Sequence, residues 1–517
     1  MSISIERFTG GLSMGSALEM TSECTPSMSQ RPSEKPLARA LCIDLDGTLV
    51  RTDLTFECLL GALKGRPWLV FVLPFWWLKG RSYLKHRLVQ ASQLDVTVLP
   101  YQAEVLALIQ KAREEGRHVA LVTGSHESLA QQVADHVPLF DTVLATSESQ
   151  NLIGSNKAAL LERTFGSRQF EYVANGRVDL AVWQKSGAAV TVHAPRSVVR
   201  QVAGMGIPHR DIPHPGTGWR TWLRAIRLQQ WLKNLLLLVP IITAHEVLNV
   251  QALGAVLLAF VSFGACASST YLINDLMDLE ADRHHHKKRM RPFAAGHLDV
   301  RAGLAAIVVL LVLGVGLALL LPVTFQWALA AYLLTTLLYS LWLKRLASLD
   351  VIVLAGLYTL RIIAGALATG ISLSFWLLAF SMFIFLSLAL VKRVAELVEV
   401  RKKEVATGLT LGKLRGREYS TEDVAVLQGL GAASGYLAVL VLALYIHSPE
   451  VSELYRSSEL LWLIAPLMLL WVTRMWLVTA RGYMDEDPIF FAAKDPETWA
   501  TGAVVALILM GATLLQL

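Results

Sequence analysis

Cysteine is scarce in this 517-residue chain, and its four copies, Cys24, Cys42, Cys58 and Cys266, show no metal-ligand or redox spacing. That pattern excludes a disulfide framework and a cysteine-built zinc site. Residues 1–38 are rich in Ser, Met and Pro and lack the basic start and apolar core of a signal peptide, so a disordered tail is expected there. No apolar run in residues 39–220 reaches the roughly 20 residues that a spanning helix needs. Basic residues gather between apolar segments and form no stripe in the first half, which leaves a nucleic-acid partner without support. An internal repeat of the kind many transporters carry is also missing, which counts against a lipid-phosphate transporter with a binding-only soluble domain.

Apolar residues are plentiful. They make up 54% of the chain, and the mean hydropathy is +0.47, above the ordinary globular range. Runs of spanning length are marked at 232–247, 252–273, 303–321, 323–342, 349–369, 372–391, 426–446, 458–480 and 499–516. Nine helices are therefore expected, the first of them short. Basic residues follow the even-numbered helices, among them Arg283, Lys287 to Arg289, Arg291, Lys344, Arg345, Lys392, Arg393, Arg401 to Lys403, Lys413, Arg415, Arg417, Arg481 and Lys494. The loops after the odd-numbered ones carry almost none, Arg456 excepted. The positive-inside rule then puts the first half and every candidate site on the cytoplasmic side of a bacterial inner membrane, with the C-terminus outside.

Carboxylates at the end of a membrane helix are costly and mark function. The run Asn274 to Asp282 places Asp275, Asp278 and Asp282 at i, i+3 and i+7, one face of a helix, with Asn274 beside Asp278. Mg²⁺ is usually held by a few carboxylates together with substrate phosphates. That face suits a metal–diphosphate, and Lys288, Arg289 and Arg291 supply cations for the remaining phosphate charge.

Other polar groups border the same side. The stretch 223–234 is basic and aromatic; Lys233 and Asn234 read equally as phosphate ligands or as part of an interfacial anchor. Asp350 and Arg361 lie in apolar segments and need partners, either each other or an anionic ligand. Lys392 and Glu396 have the spacing of an i, i+4 ion pair. Asp485, Glu486, Asp487 and Asp495 form an acidic loop that composition does not explain.

Asn274–Asp282 matches the NDxxDxxxD signature and resembles the UbiA superfamily of intramembrane prenyltransferases. Gln230 to Asn234, Lys288 to Gly296, Tyr339 to Asp350 and Lys392 to Leu397 resemble its decaprenyl-phosphate phosphoribosyltransferase branch, over about 221–517. The second aspartate motif, DxxxD, is incomplete, because Leu354 stands four residues after Asp350. The resemblance implies nine transmembrane helices and Mg²⁺, with polyprenyl phosphate and phosphoribosyl pyrophosphate as substrates. Asp275, Asp278 and Asp282 are expected to hold the metal. Asn274, Lys233, Asn234, Lys288, Arg289, Arg291, Tyr339, Lys344, Asp350, Arg361, Lys392 and Arg393 are expected to bind substrate. Prenyl transfer to an aromatic or other acceptor is the alternative.

In the first half, 39–50 reads as a buried strand running into an acidic turn with Asp44, Asp46 and Gly47. Aspartate is a phosphoryl nucleophile, and a second one two residues on points the same way and serves as acid and base. Helical patterns at 101–115, 127–136 and 157–163 alternate with strands at 118–124, 141–146 and 170–174, predicting a parallel α/β sheet with its ligand at the carboxyl ends. The ordered set Asp44, Asp46, Thr123, Lys157 and Asp179 resembles haloacid dehalogenase (HAD) phosphatases, over about 39–200. The resemblance implies Asp44 as nucleophile, Asp46 as acid/base, Thr123 and Lys157 on phosphate, and Asp179 supporting Mg²⁺. The fourth motif departs from the family, with Asn175 in place of an aspartate that ordinarily touches metal. The apolar segment 67–79, too short to span and broken by Pro74, reads as a membrane-surface cap segment rather than a buried cap helix. Residues 201–220 are expected to be a linker.

Overall fold

A computed structural model describes residues 39–514 except 148–150, 215–217, 408–411, 415–416, 449–450, 452–454, 456 and 486. The expected tail 1–38 and Arg415, Arg456 and Glu486 lie outside the described residues.

The first half builds a six-stranded sheet of order β3-β2-β1-β4-β5-β6. The strands are β1 (Ala40–Ile43), β2 (Val119–His126), β3 (Thr142–Thr146), β4 (Phe170–Ala174), β5 (Ala188–Val192) and β6 (His209–Ile212). All five pairings are parallel. Burial on both faces explains the apolar, non-alternating strands. The chain order reverses on either side of β1, so a crevice opens at its carboxyl end. One expectation is corrected here. The supposed linker 201–220 instead supplies β6, whose Ile212 pairs with Val192 and joins the sheet core. Alternation was too short in HRDI to announce a strand.

Helix α1 (Leu54–Gly65) follows β1 directly, capped by Asp53 on the Thr55 N–H. The cap segment forms two short helical pieces, Pro67–Phe71 and Leu73–Leu78. Leu69 and Trp76 are buried, whereas Trp68, Phe71, Phe75, Trp77 and Leu78 face outward. That outward apolar face is what a buried cap helix would not have.

Among the described residues, seven helices are long and apolar enough to cross a membrane: Val250–Met277, Val300–Ala318, Leu349–Thr369, Phe375–Ala406, Thr421–Ile446, Ser458–Ala480 and Pro496–Leu514. Two of the nine expected spans differ. Val323–Leu341 is a 19-residue helix, but Gln326, Thr335, Thr336 and Ser340 dilute its apolar character. The expected first span, 232–247, begins as the 3-10 helix Leu228–Leu238 and ends as the short α-helix Val239–Thr243.

The halves touch. Leu60 of α1 packs with Leu272, Leu276, Leu279 and Phe293 in one apolar cluster, and Glu57 forms a buried bidentate pair with Arg283 at 2.5 and 2.8 Å.

Candidate active site

Two clusters of carboxylates lie at the two ends of α1. At its N-terminal end, β1 delivers Asp44 and the following turn delivers Asp46. Gly47 adopts φ +71°, and a Cβ there would come 2.0 Å from Asn175 Nδ2, so the turn and the fourth motif are packed together. Lys157 Nζ donates to Asp44 Oδ1 at 2.9 Å and to the Tyr172 hydroxyl at 3.0 Å, and lies 3.5 Å from Asp179 Oδ1. Tyr172 donates in turn to Asp179 Oδ1 at 2.9 Å. Asp46 faces the other way. Its Oδ1 accepts from the Leu54 N–H at the start of α1 (2.8 Å), and its Oδ2 accepts from Ser125 Oγ (2.6 Å) and Thr123 Oγ1 (3.4 Å).

The five residues expected in this cluster are thus adjacent. Sequence reasoning missed Tyr172 and Ser125; the Ser two residues past Thr123 on the same strand was the available signal, and Tyr172 gave none. Burial, then the Asp179 and Asp46 carboxylates, push the Asp44 carboxyl up to about 7 against the pull of Lys157. Burial, and then Asp53, also raise Asp46. Asp44 and Asp179 share one ammonium, so this pair of hard-oxygen donors is short of positive charge and fits a divalent cation.

The second cluster lies where the helix Val250–Met277 ends. The chain kinks at Asp278 (φ −105°, ψ 14°) before the short helix Leu279–His284. Asp275 and Asp282 are buried and face each other through Arg291, whose Nη1 donates to both, at 3.1 and 2.6 Å. Arg227 also binds Asp275 with a forked guanidinium. Asp278 is turned apart and half-exposed, near Lys64 of α1 (3.3 Å) and Lys344 (3.9 Å). The expected single face of three aspartates is therefore corrected: the carboxylates are divided between two sets of cations, because three like charges at a low-dielectric helix end repel. Their oxygens still suit Mg²⁺. Burial pushes the Asp282 carboxyl up, against the pull of Arg291. Lys288 lends charge to Asp282 without a direct ion pair, and neither Lys288 nor Arg289 forms one among the described residues. The Asn274 amide lies beside the kink without a side-chain hydrogen bond among the described residues.

The remaining expected residues form two further networks. Asp350 and Arg361 do not meet. Asp350 Oδ2 accepts from Arg393 Nε (2.7 Å) and Arg417 Nη1 (2.8 Å), and its Oδ1 accepts from the Tyr419 hydroxyl (2.6 Å). Arg393 also reaches the Tyr339 hydroxyl at 3.0 Å. Glu396 pairs with Arg393 at 2.5 Å and, among the described residues, not with Lys392: the Arg393 guanidinium, fixed by Asp350 and Tyr339, presents its Nη1 to Glu396. Lys392 makes no ion pair among the described residues. Arg361 donates to Asn234 Oδ1 (3.2 Å), the Leu357 carbonyl and the Tyr332 hydroxyl, with its guanidinium over the Tyr332 ring. The Asn234 Nδ2 is buried without a hydrogen-bond partner among the described residues. Lys233 pairs with Asp487, which also caps the helix Pro488–Lys494. Asp495 forms a forked pair with Arg474, so the acidic loop has structural partners. Arg227, Arg417 and Tyr419 are the functional candidates that sequence reasoning did not single out.

Comparison with known proteins follows this division. The UbiA prenyltransferase family model matches residues 236–495, and the haloacid dehalogenase-like hydrolase model matches 41–181. The uncharacterized protein y4nM of Sinorhizobium fredii is 36% identical over 470 residues, covering 90% of this chain and 89% of its own. Nodulation protein NoeC of Azorhizobium caulinodans is 34% identical over 282 residues, 53% of this chain and 87% of its own. Decaprenyl-phosphate phosphoribosyltransferase of Mycobacterium tuberculosis is 38% identical over 179 residues, 34% of this chain and 59% of the relative. A multi-pass membrane transferase with a hydrolase-like domain ahead of it, the chain belongs to the UbiA prenyltransferase family.

Proposed function

We propose that the membrane domain transfers 5-phosphoribosyl from phosphoribosyl pyrophosphate to a polyprenyl phosphate, and that the hydrolase-like domain removes the 5-phosphate from the lipid product. The observation that carries the first step is the state of Asp350. Asp350 is fully buried with its oxygens on Arg393, Arg417 and Tyr419, and Leu354 stands where a complete DxxxD motif would bring a second carboxylate, so the carboxylate pair that a second metal would need is missing. That favours the phosphoribosyl reading over plain prenyl transfer, as does the similarity to decaprenyl-phosphate phosphoribosyltransferases.

In this reading a lipid phosphate oxygen bonds to C1 of the ribose while the C1–O bond to pyrophosphate breaks. Mg²⁺, held by Asp275, Asp278 and Asp282 with Asn274 in support, would neutralise charge on the departing diphosphate. Arg291 and Arg227 orient the carboxylates and offer guanidinium donors to phosphate oxygens. Lys233, Asn234, Arg361 and Lys392 hold a second anionic group, and the unpartnered Asn234 amide is suited to one of its oxygens. Lys288, Arg289 and Lys344 line the approach, and the buried Arg393, with the Tyr339 hydroxyl it reaches, backs it from behind.

At the other site Asp44 attacks the phosphorus of the 5-phosphate, the P–O bond to the sugar breaks, and Asp46 gives its proton to the leaving oxygen. Water then releases phosphate with Asp46 as base. Asp46, raised by burial, is suited to carry that proton. Lys157 and Thr123 hold the phosphate, and Mg²⁺ on Asp44 and Asp179 would offset its charge.

The reading places both sites on the cytoplasmic side of a bacterial inner membrane. The chain crosses nine times, with 228–243 and Val323–Leu341 completing the seven more apolar spans, and the outward apolar face of 67–79 rests on the bilayer surface. Purified protein with Mg²⁺, polyprenyl phosphate and ribose-labelled phosphoribosyl pyrophosphate tests it. Label enters the lipid fraction, is lost with Asp278→Ala, and loses its 5-phosphate only when Asp44 is intact. Activity on a prenyl diphosphate alone overturns the reading.

A further inference from the structure

Helix α1 belongs to the hydrolase-like domain by sequence, yet one of its faces is built into the membrane domain. Glu57, Leu60 and Lys64 stand at i, i+3 and i+7, a single stripe. Glu57 is locked to Arg283, the residue next to Asp282, with both side chains buried. Leu60 is enclosed by Leu272, Leu276 and Leu279. At the start of the helix, Asp53 pairs with Arg301, whose guanidinium lies over Phe56 at 5.1 Å. With its first turn and its middle fixed in this way, α1 delivers its last turn to the second aspartate cluster.

Lys64 is what arrives there. Its ammonium lies 3.3 Å from Asp278 Oδ1, and this is its one ion pair among the described residues. Asp275 and Asp282 are held by the guanidinium groups of Arg227 and Arg291, whereas Asp278, the most open of the three, is met by two lysines, Lys64 and Lys344. Lysine is a compact, mobile point charge, suited to follow a phosphate oxygen as it binds and leaves. A half-exposed Lys–Asp pair adds little stability by itself, so structural need does not explain a pinned helix that ends on this carboxylate.

We propose that Lys64 is a diphosphate-binding residue of the transferase site, contributed by the hydrolase-like domain. The inference rests on the reading of the Asp275–Asp282 cluster as a metal–diphosphate site. The transferase site is then built from both domains, and the hydrolase-like domain is part of the transfer reaction even when its own chemistry is silent.

Calorimetric titration of the full-length protein with inorganic pyrophosphate in Mg²⁺ tests Lys64 independently of which group is transferred. Lys64→Met weakens pyrophosphate binding about tenfold, the size of one charge-assisted contact, and Lys64→Arg restores most of it. Transfer kinetics on the same proteins show a matching rise in KM for phosphoribosyl pyrophosphate, with KM for the lipid phosphate unchanged. Wild-type affinity in Lys64→Met overturns the proposal, as does a wild-type protein that binds no pyrophosphate. Equal shifts in both KM values also overturn it, because they report a distorted fold. If pyrophosphate binds and depends on Lys64 but no ribose label reaches the lipid, the phosphoribosyl reading fails and the Lys64 assignment stands.

Discussion

Arg291 joins Asp275 to Asp282 through a single nitrogen, Nη1, at 3.1 and 2.6 Å. The first and last carboxylates of the motif are held together across the kink at Asp278 by a residue nine positions downstream of the last. An arginine that already bridges two carboxylates can turn its other donors to phosphate without moving its stem.

Replacing Arg291 is therefore expected to cost more than one ion pair. Arg291→Ala leaves Asp282 buried without its partner and removes a donor at the developing charge. Transfer falls by about 100-fold or more, the usual size of such a loss. Arg291→Lys recovers only part of the rate, because one ammonium lacks the planar fork. Initial rates with labelled donor, alongside melting temperatures that stay near wild type for Arg291→Lys, check this.

Metal binding is expected to depend on the diphosphate. Four cations, Arg227, Arg291, Lys64 and Lys344, face three carboxylates, so a bare divalent ion meets a site that is already neutralised. A diphosphate brings the missing negative charge. Mn²⁺ titrations followed by electron paramagnetic resonance show weak binding at this site alone and strong binding once inorganic pyrophosphate is present. Tight binding without pyrophosphate, lost in Asp278→Ala, contradicts the charge count.

The Glu57–Arg283 pair ties the two halves. Arg283→Ala strands a buried carboxylate and weakens the interface by about 3–5 kcal/mol, whereas an apolar pair at both positions restores most of it. Limited proteolysis of the segment joining the domains is the readout: fast cleavage in Arg283→Ala and slow cleavage in the paired variant. Equal rates in the wild type and both variants refute the buried-pair account.

The stability of the hydrolase-like domain carries a signature of Asp44. Its folded carboxyl titrates at about 7 against an ordinary 3.8, so the folded state holds a proton across that window that the unfolded chain has released. The stability this group contributes is complete below 3.8 and is lost as pH rises through about 7. In Mg²⁺-free buffer the melting temperature declines over that range, and Asp44→Asn reduces the decline, with the raised Asp46 carboxyl supplying the remainder. Excess Mg²⁺ also flattens it, since the ion favours the ionised carboxylate.

Much of this was legible in residue patterns, for physical reasons. Asp44, Thr123, Lys157 and Asp179 stand where buried strands meet turns, and a parallel sheet leaves them nowhere to converge except its carboxyl ends. Asp275 to Asp282 stood out because carboxylates are rare beside an apolar run. What pattern could not give was partnership. Asp350 has Arg417 and Tyr419 as neighbours although they follow it by 67 and 69 residues. Glu57 and Arg283 are 226 residues apart, and each alone reads as a surface charge. The strand β6 was hidden in a polar stretch because its place at the sheet edge asks little of its side chains, with only Ile212 turned inward.

The winding of 228–243 has a consequence for length. Eleven residues, Leu228–Leu238, follow the tighter 3-10 path before five α-helical ones. At about 2.0 Å per residue, against about 1.5 Å in an α-helix, the segment extends roughly 30 Å rather than roughly 24 Å. A stretch too short to cross a bilayer as an ordinary helix is thereby drawn out to the thickness of a hydrocarbon core, about 30 Å. The stretched coil also turns every third residue to the same side, so Gln230, Lys233 and Leu236 are stacked in one row.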